Sequence, residues 1–305
     1  MFEFVFLGTS ASAPSVHRGL SAHVVMHRDH RFLIDCGEGT QRQILRSGLG
    51  FKRLQKILIT HGHLDHILGL GGLLSTLTRW EAIEHVEIWA GQRALRRIRD
   101  LVFGVVFRGE REQLRIEFKE IVPGAIIADG NSFELMAFPV THRGGQCFGF
   151  VFQEKPRRPF LEEKAVELGV PNGPERRDLV QGRTITLPEG KIVHPDDVLG
   201  PVEAGTKLVH VGDAGETDDI LEHCRDADAL VVEATYLHSE LDLARRFGHL
   251  TALQAAELAQ AANVRSLYLT HLSRRYRERD VTAEAQSVFA NTVVARDLDH
   301  IEVRR

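Results

Sequence analysis

The sequence predicts an α/β fold in which two β-sheets pack face to face, with helices on the outside of the sandwich. Short runs rich in β-branched and aromatic residues recur along the chain, and helical patterns fall between several of them. In each half of the chain the strands come first, as meanders, and the helices follow. The 305 residues, of which 43% are hydrophobic, are enough to bury a sizeable core.

Each predicted element follows from the local pattern of apolar residues. The strands are short apolar runs, at 2–7, 22–26, 31–35, 55–60, 86–90, 114–121, 132–138, 147–153, 207–211, 229–233 and 266–270. The helices have apolar residues at helical spacing, at 41–47, 68–80, 92–103, 218–225, 252–262 and 283–289.

Residues 154–204 break this alternation. The segment holds seven of the ten prolines and contains one short helical pattern, at 161–168, and a hairpin-like pattern, at 183–193. A stretch of this length without core-like periodicity is usually functional or disordered. We expect a protruding arm inserted into a single domain that spans residues 1–305. The alternative, a flexible linker between two domains, is weaker because the metal site described below draws residues from both sides of the segment.

Composition excludes several classes of protein. Cys36, Cys147 and Cys224 form no Cys-x-x-Cys pair, which argues against a disulfide framework. The net charge of −4 argues against a surface coated with nucleic acid, so any such contact must be local. No apolar run is long enough to span a membrane, and the chain opens in a strand pattern without a basic leader. We therefore expect a soluble, cytoplasmic protein with no membrane partner.

Four residues of metal-ligand type lie together after the fourth predicted strand. His61, His63, Asp65 and His66 occupy six consecutive positions directly after an apolar run. Gly62 permits the tight turn that would bring His61 and His63 to one metal ion, while Asp65 and His66 would point toward a second. Imidazole and carboxylate ligands suit zinc or another divalent transition metal, and the absence of cysteine ligands argues against a purely structural zinc site.

Three later strands end on residues of the same kind. His142, Asp213 and His271 each follow an apolar run. Taken singly, each has the simpler explanation of a hydrogen-bonded turn residue. Their joint occurrence with the His-x-His-x-Asp-His cluster favours a site for two metal ions.

These motifs resemble those of the metallo-β-lactamase superfamily and, within it, the ribonuclease Z family of endonucleases that trim the 3′ end of precursor tRNA. The more specific signals are 7–10 (LGTS), 35–41 (DCGEGTQ), 248–251 (GHLT) and 270–276 (THLSRRY). In the arm, 168–174 (LGVPNGP), with Gly173 and Pro174, is similar to the tRNA-clamping exosite of that family. The resemblance covers essentially the whole chain and implies a metallo-β-lactamase αββα sandwich with an inserted exosite arm.

The resemblance also implies a division of roles. One Zn²⁺ would be held by His61, His63, His142 and Asp213, and a second by Asp65, His66, Asp213 and His271, with Mn²⁺ or Fe²⁺ as alternatives. The family's general base corresponds to Asp65. His249 lies outside the ligand set and is a candidate to stabilise the phosphate or to protonate the departing 3′ oxygen. The implied partners are precursor tRNA and a second copy of the chain, because these enzymes are usually homodimers in which one subunit's arm serves the other's active site.

Some neighbouring residues have an open interpretation. Glu233, at the end of an apolar run, would either orient a catalytic imidazole or form an ordinary salt bridge. Three segments depart from the family's usual pattern: Ala214 lacks a hydroxyl beside the bridging carboxylate, Gly144-Gly145 makes the segment after His142 glycine-rich, and 175–178 replaces an aromatic or apolar pair in the arm. The first two bear on preference at the cleaved RNA end, and the third on the affinity of the arm.

Positive charge is concentrated in two places. The predicted RNA contacts follow closely after His271 and are Arg274, Arg275 and Arg277, with Arg279 beyond them. The helix that carries Arg93, Arg96, Arg97 and Arg99 is interpreted as a solvated face. His17, in the loop after the first strand, could approach the metal site.

Three functions remain open at this point. The first is a zinc-dependent endoribonuclease that removes the 3′ trailer from precursor tRNA and leaves a 3′-hydroxyl. The second keeps the dimetal centre but acts on small phosphodiesters or carbon esters, and the arm is the feature that argues against it. The third is a catalytically silent RNA-binding scaffold, which would be expected to have lost ligands, whereas all seven are present.

Overall fold

A computed structural model of the protein describes residues 1–81, 83–108, 114–130 and 132–305. These residues form two compact units. The larger unit comprises Met1–Gln153 and Thr206–Arg305, and the smaller comprises Glu154–Gly205. The smaller unit therefore begins at the first residue of the segment that the sequence set apart and ends one residue after it.

The strands are short and follow the apolar runs of the sequence. In chain order they are β1 (Phe2–Gly8), β2 (Ala22–His27), β3 (His30–Ile34), β4 (Lys56–Leu58), β5 (His85–Ala90), β6 (Arg115–Glu120), β7 (Ile126–Asp129), β8 (Phe133–Val140), β9 (Cys147–Glu154), β10 (Ile185–Thr186), β11 (Ile192–Val193), β12 (Lys207–His210), β13 (Ala229–Glu233), β14 (Leu267–Thr270), β15 (Thr292–Val294) and β16 (His300–Val303).

The helices are mostly of one to three turns. In chain order they are α1 (Thr40–Arg46), α2 (Leu64–Ile67), α3 (Leu70–Arg79), α4 (Gln92–Leu101), α5 (Glu162–Glu167), α6 (Pro174–Val180), α7 (Pro195–Val198), α8 (Leu221–Cys224), α9 (Leu241–Phe247), α10 (Ala252–Ala261) and α11 (Glu278–Gln286). A π-helical segment, Val102–Val106, extends α4, and a 3₁₀ turn, His238–Glu240, precedes α9.

Two seven-stranded sheets form the centre of the larger unit. The order of the first sheet is β16-β1-β2-β3-β4-β5-β6, and that of the second is β15-β14-β13-β12-β9-β8-β7. Strands β3 to β6 pair in parallel, as do β12 to β15. Parallel neighbours end at the same edge of a sheet, so residues that follow β4, β12 and β14 are placed at the edges where ligands usually bind.

An aromatic layer fills the space between the two sheets. Phe2 and Phe32 of the first sheet and Phe133 and Phe152 of the second are almost completely buried. The rings meet edge to face, with centroids 6.1 Å apart for Phe2 and Phe133 and 5.5 Å apart for Phe32 and Phe152. This geometry is favoured by the aromatic quadrupole and adds to the free energy of burial.

Helices cover the outer face of each sheet. Buried side chains of α1, α3 and α4, including Ile44, Leu73 and Ile98, belong to one hydrophobic cluster with strands of the first sheet. Those of α10 and α11, including Leu258 and Val281, belong to a cluster with strands of the second sheet. The larger unit is thus an αββα sandwich, which confirms the predicted fold class. Among the described residues, no helix combines the length and apolar character needed to cross a membrane.

The smaller unit has a core of its own. Its helices α5, α6 and α7 and the β10–β11 hairpin each contribute one or two buried apolar residues, namely Ala165, Val170, Leu179, Ile185, Leu187, Val193, Val198 and Leu199. The sequence did not indicate this core because no single element of the segment is long enough to show a period.

The structure also contains elements that the sequence analysis missed or misplaced. Strands β7, β15 and β16 were not predicted, since each has only three or four residues and at least one exposed position. Helix α11 begins at Glu278 rather than at 283, because Val281 and Ala285 form its buried stripe and Glu278 and Asp280 supply acidic residues to its first turn. Arg279 consequently lies inside a helix.

Two histidines of the inter-sheet core make the stability of the fold sensitive to pH. The rings of His23 and His210 are buried, with centroids 5.2 Å apart. Burial lowers the pKa of His23 well below its ordinary value of 6.5 and that of His210 to about 4. Both side chains are therefore neutral in the folded protein at pH values where the unfolded chain binds protons.

We expect the stability that depends on neutral His23 and His210 to be present in full above pH 6.5 and to fall as the pH decreases from 6.5 toward 4. Each of the two histidines should contribute a slope of up to about 1.4 kcal/mol per pH unit. Denaturant unfolding at a series of pH values measures this. His23→Leu, which changes the side-chain volume little, should reduce the slope of unfolding free energy against pH by the equivalent of about one bound proton. His300→Leu, at an exposed site, should leave that slope unchanged. Parallel curves for wild type and His23→Leu would contradict the explanation.

Candidate metal centre

Four segments of the chain meet at one edge of the sandwich. The first follows β4 and carries His61, His63, Asp65 and His66, the last two of them in the one-turn helix α2. The other three segments follow β8, β12 and β14 of the second sheet and carry His142, Asp213 and His271. The structure therefore brings together all seven residues that the sequence singled out, and all except His63 and Asp65 are buried.

The side chains form two adjacent clusters. Donor atoms of His61, His63, His142 and Asp213 lie within 4.8 Å of one another, and so do those of Asp65, His66 and His271. Each cluster could hold a metal ion.

The carboxylate of Asp213 faces both clusters. Its Oδ2 lies 3.6 Å from His61 Nε2 and 3.8 Å from His142 Nε2. Its Oδ1 lies 3.5 Å from His66 Nε2 and 3.4 Å from His271 Nε2. The two oxygens are thus divided between the clusters, the arrangement that a bridging ligand requires.

The donor atoms fit a pair of cations. Among the described residues, His66 Nε2, His271 Nε2 and Asp213 Oδ1 are buried and have no hydrogen-bond partner. His61 Nε2 lies 2.8 Å from Nδ1 of His63, so two ring nitrogens face each other. Buried polar atoms are rarely left unpaired, and a divalent ion in each cluster would satisfy all of these lone pairs.

A buried carboxylate and a hydroxyl orient the imidazoles that follow β4. Asp35, which follows β3, accepts a hydrogen bond from His66 Nδ1 at 2.7 Å. It also accepts one from the backbone N–H of Thr60 at 2.8 Å, and the Thr60 hydroxyl lies 3.1 Å from His61 Nδ1. With Nδ1 engaged in this way, each ring directs Nε2 toward the metal positions, the usual role of residues behind a metal ligand. Asp35 was not among the site residues predicted from the sequence.

The imidazoles from the second sheet are held in the same way. Thr235 places its hydroxyl 3.0 Å from His271 Nδ1. The carbonyl of Gly248 accepts from His142 Nδ1 at 2.5 Å. Neither residue was a candidate from the sequence, although Gly248 falls within the 248–251 segment. A threonine or a backbone carbonyl gives no sequence signal of such a role, because only the fold brings it to the imidazole.

Glu233 connects His249 to the segment that carries Asp213. The Glu233 carboxylate is completely buried, and its Oε1 accepts from His249 Nδ1 at 2.9 Å and from the backbone N–H of Ala214 at 2.8 Å. Of the two interpretations of Glu233, orientation of an imidazole is the one that agrees with this geometry. The contact to position 214 involves the backbone, so it does not need the hydroxyl that Ala214 lacks.

Charges in the site favour a protonated His249 and an ionised Asp65. Burial lowers the pKa of His249, but the Glu233 carboxylate outweighs it and raises the pKa to about 9. Burial raises the pKa of Asp65, but the His271 and His66 imidazoles outweigh it and hold the pKa well below its usual value. His249 is therefore a potential proton donor and Asp65 a potential acceptor. Donor atoms of Asp213, His249 and His271 also lie within 4.8 Å of one another, so His249 is close enough to these residues to share a metal ion with them.

The arginines near the site differ in their partners. Arg275 forms an ion pair with Glu240 at 2.5 Å, whereas Arg274 and Arg277 have none with the described residues. Arg274 lines a cavity of about 600 Å³ that also includes His17. In the smaller unit, Gly173 and Pro174 are exposed at the start of α6.

The arginines of α4 are exposed, as predicted for a solvated face, but two of them also contact loops of the site. Arg97 donates to the carbonyl of Gly62, between two predicted ligands, at 2.7 Å. Arg93 donates to the carbonyl of Gly144 at 2.7 Å. Two of the four arginines of this helix therefore hold loops of the site, which helical periodicity alone does not reveal.

Two protein-family models each match a part of the chain, and several known proteins match nearly all of it. Residues 2–156 match the model described as anti-Pycsar protein Apyc1, and residues 180–272 match the β-lactamase superfamily domain. Ribonuclease Z of Bradyrhizobium diazoefficiens is 46% identical, over 99% of this chain and 100% of that protein. Ribonuclease Z of Archaeoglobus fulgidus is 38% identical, over 99% of this chain and 98% of that protein.

Solved structures show the same fold. The short form of human tRNase Z superimposes with a TM-score of 0.71 at 25% identity, covering 99% of this chain and all 100% of that one. The metallo-β-lactamase fold protein YhfI from Bacillus subtilis gives a TM-score of 0.70 at 16% identity, over 99% of this chain and 100% of that chain.

Asp35→Asn should weaken metal binding without unfolding the protein, because it removes the charge behind His66 while keeping the shape. Loss of such a partner typically reduces metal affinity by about 10-fold to 100-fold. Competition with a chromogenic chelator measures the affinity, and circular dichroism checks the fold. Asp29→Asn, at an exposed residue paired with Arg53, is the matched control. Equal affinity in the two variants would show that Asp35 does not support the site.

Proposed function

Because the chain belongs to the ribonuclease Z family of metal-dependent, metallo-β-lactamase-fold hydrolases, we propose that it is a zinc-dependent endoribonuclease that removes the 3′ trailer from precursor tRNA. Hydrolysis would leave a 3′-hydroxyl on the tRNA. The observation that carries this proposal is the identity of 46% to a ribonuclease Z over the full length of both proteins.

The two clusters would hold two Zn²⁺ ions, one in the cluster with His63 and the other in the cluster with Asp65, with Asp213 shared between them. Mn²⁺ or Fe²⁺ would suit the same donors. When bound, a pair of such ions lowers the pKa of water and neutralises charge that gathers on the phosphate.

The chain's own residues would then move the protons. Asp65, kept ionised by the neighbouring imidazoles, accepts the proton of the attacking water. His249, held by Glu233 with 2.9 Å between Nδ1 and Oε1, donates a proton to the departing 3′ oxygen or stabilises the phosphate. The P–O3′ bond breaks as the bond to the water oxygen forms, so the proton gained by O3′ completes the 3′-hydroxyl.

Substrate binding would involve residues outside the metal centre. Arg274 and Arg277, which have no ion pair with the described residues, are better placed to contact phosphates than Arg275. Gly173 and Pro174 in the smaller unit would contact the folded tRNA, whose helical parts are recognised by shape and backbone. We further propose a homodimer in which the arm of one subunit serves the active site of the other. A cytoplasmic location stays a prediction.

A second candidate is a dimetal hydrolase of small phosphodiesters or carbon esters. It is favoured by the match of residues 2–156, which include most of the ligands, to a family model other than ribonuclease Z. The smaller unit distinguishes the two candidates, because a small substrate does not need it.

Replacing the smaller unit by a short turn tests the proposed substrate. Gln153 and Lys207 are register partners in the antiparallel pair of β9 and β12, so residues 154–206 can be replaced by a tight two-residue Asn-Gly turn. Every proposed ligand lies outside this segment. We expect the variant to keep its metal content and its hydrolysis of a chromogenic phosphodiester, while cleavage of precursor tRNA falls steeply through weaker binding.

The same assays with the unaltered protein, with and without a chelator, provide the control. Cleavage of precursor tRNA should require metal. Unchanged tRNA cleavage after removal of the segment would argue for the second candidate or for another RNA-binding surface. Equal loss on both substrates, with the fold intact, would place the segment in the catalytic core.

His249→Ala should keep the metal content of the wild type but slow turnover by about 10²-fold to 10⁴-fold, the range typical of lost acid–base assistance. Metal analysis together with single-turnover cleavage separates the two effects. A variant that loses metal would make His249 a ligand, as its proximity to Asp213 and His271 permits.

A further inference from the structure

A pocket beside the metal centre has a composition that the metal chemistry does not explain. Its volume is about 490 Å³. Its lining includes His63 and His249 together with Ser12, Arg143, Tyr236 and Phe247. An exposed cation and an aromatic ring thus adjoin the place where the phosphodiester would be cleaved.

Arg143 has an exposed guanidinium on an aliphatic stem that is packed against the chain. It has no acidic partner among the described residues. Its guanidinium carbon lies 5.8 Å from the centre of the Phe247 ring. A Cβ added to Gly248 would lie 2.8 Å from Arg143 Cγ, so the stem of the arginine packs directly on the backbone between Phe247 and His249.

The loop that carries Arg143 is held in an unusual conformation. Gly144, Gly145 and Gln146 have φ angles of 96°, 69° and 55°, three successive residues in the left-handed region. Helix α4 fixes this loop, because Arg93 donates its side chain to Gly144 O at 2.7 Å and its backbone N–H to Gln146 Oε1 at 2.9 Å. Glycines at 144 and 145 permit this turn, and the turn directs Arg143 to the pocket.

The aromatic residues complete the pocket. Phe247, the last residue of α9, is 38% exposed, although it is large and apolar. Tyr236 also lines the pocket, with its ring centroid 6.1 Å from that of His249. An aromatic face for a base together with a cation for a phosphate is the combination that binds single-stranded nucleic acid.

We propose that this pocket binds the nucleotide directly adjoining the cleaved phosphodiester, with its base against Phe247 and its phosphate at Arg143. The inference rests on the proposed endoribonuclease function and deepens it. The ligand class is a single-stranded nucleotide, because a base that is paired in a helix cannot offer its face to Phe247.

The test for the base contact combines a change in the protein with a change in the RNA. Wild type and Phe247→Leu are each given three precursor tRNAs, one unmodified and two that lack the base on one or the other side of the cut. A stacked base contributes about 5-fold to 150-fold in affinity. We expect the wild type to lose that much affinity at one of the two positions, measured by single-turnover cleavage against enzyme concentration.

The Phe247→Leu enzyme should bind the unmodified RNA more weakly by a similar factor, and base removal should then have less than about a twofold further effect. Phe103→Leu, at another exposed phenylalanine outside the pocket, is the matched control. Base removal that harms Phe247→Leu as much as the wild type, at both positions, would overturn the proposed base contact.

The phosphate contact has a separate test. Arg143→Ala should make the slope of log affinity against log salt concentration shallower by about 0.7, the value for one phosphate contact to a single strand. Arg143→Lys should retain the slope, and so should Arg79→Ala at an exposed site in α3. An unchanged slope in Arg143→Ala would overturn this part. If the wild type does not cleave precursor tRNA at all, it is the proposed function that fails, and the two outcomes are distinguishable.

Discussion

The site depends above all on the carboxylate of Asp213, whose two oxygens face different groups of imidazoles. Oδ1 lies 3.5 Å from His66 Nε2 and 3.4 Å from His271 Nε2, and Oδ2 lies 3.6 Å from His61 Nε2. A buried carboxylate in this position is stable only if positive charge lies beside it. Because Asp213 follows a strand of the second sheet and His61 and His66 follow one of the first, the sandwich must present strand ends of both sheets at one edge.

Strained and tightly packed backbone keeps those strand ends in place. Asp35 and His271 have φ angles of 57° and 54°, a conformation that costs non-glycine residues about 1 to 3 kcal/mol each. Their hydrogen bonds within the site offset that cost. A Cβ at Gly37 would lie 2.5 Å from the Asp65 carbonyl oxygen, so the Asp-Cys-Gly segment packs against the backbone of the metal loop. Position 37 of this segment therefore has room for glycine only.

The meeting of the seven candidate ligands at one site could be predicted from the sequence, because each follows an apolar run and is of a type that binds metal. Asp35 has the same signal, since it ends the strand beside β4, but its partner His66 is evident only from the parallel pairing of β3 and β4. Arg275 is paired with Glu240, which lies 35 positions away in the chain, so no local sequence pattern predicts that its charge is neutralised. The contacts of Arg93 and Arg97 were missed for the same reason, because periodicity identifies a helix face but not what it touches.

Under the proposed function, chemistry and substrate selection belong to different parts of this chain. The ligands and the residues behind them follow strands of the sandwich, whereas the smaller unit enters between β9 and β12, whose register partners Gln153 and Lys207 are adjacent across the pair. The metal centre can therefore keep its geometry while the insertion changes. Contacts remote from the reacting phosphate add binding energy only for a large substrate. The loop at 143–146 belongs to neither part. It follows the candidate ligand His142 directly, and its first residue, Arg143, lines the pocket beside the metal centre. Its glycines, which look like a loss of constraint in the sequence, are what allow α4 to fix Arg143 beside the metal centre.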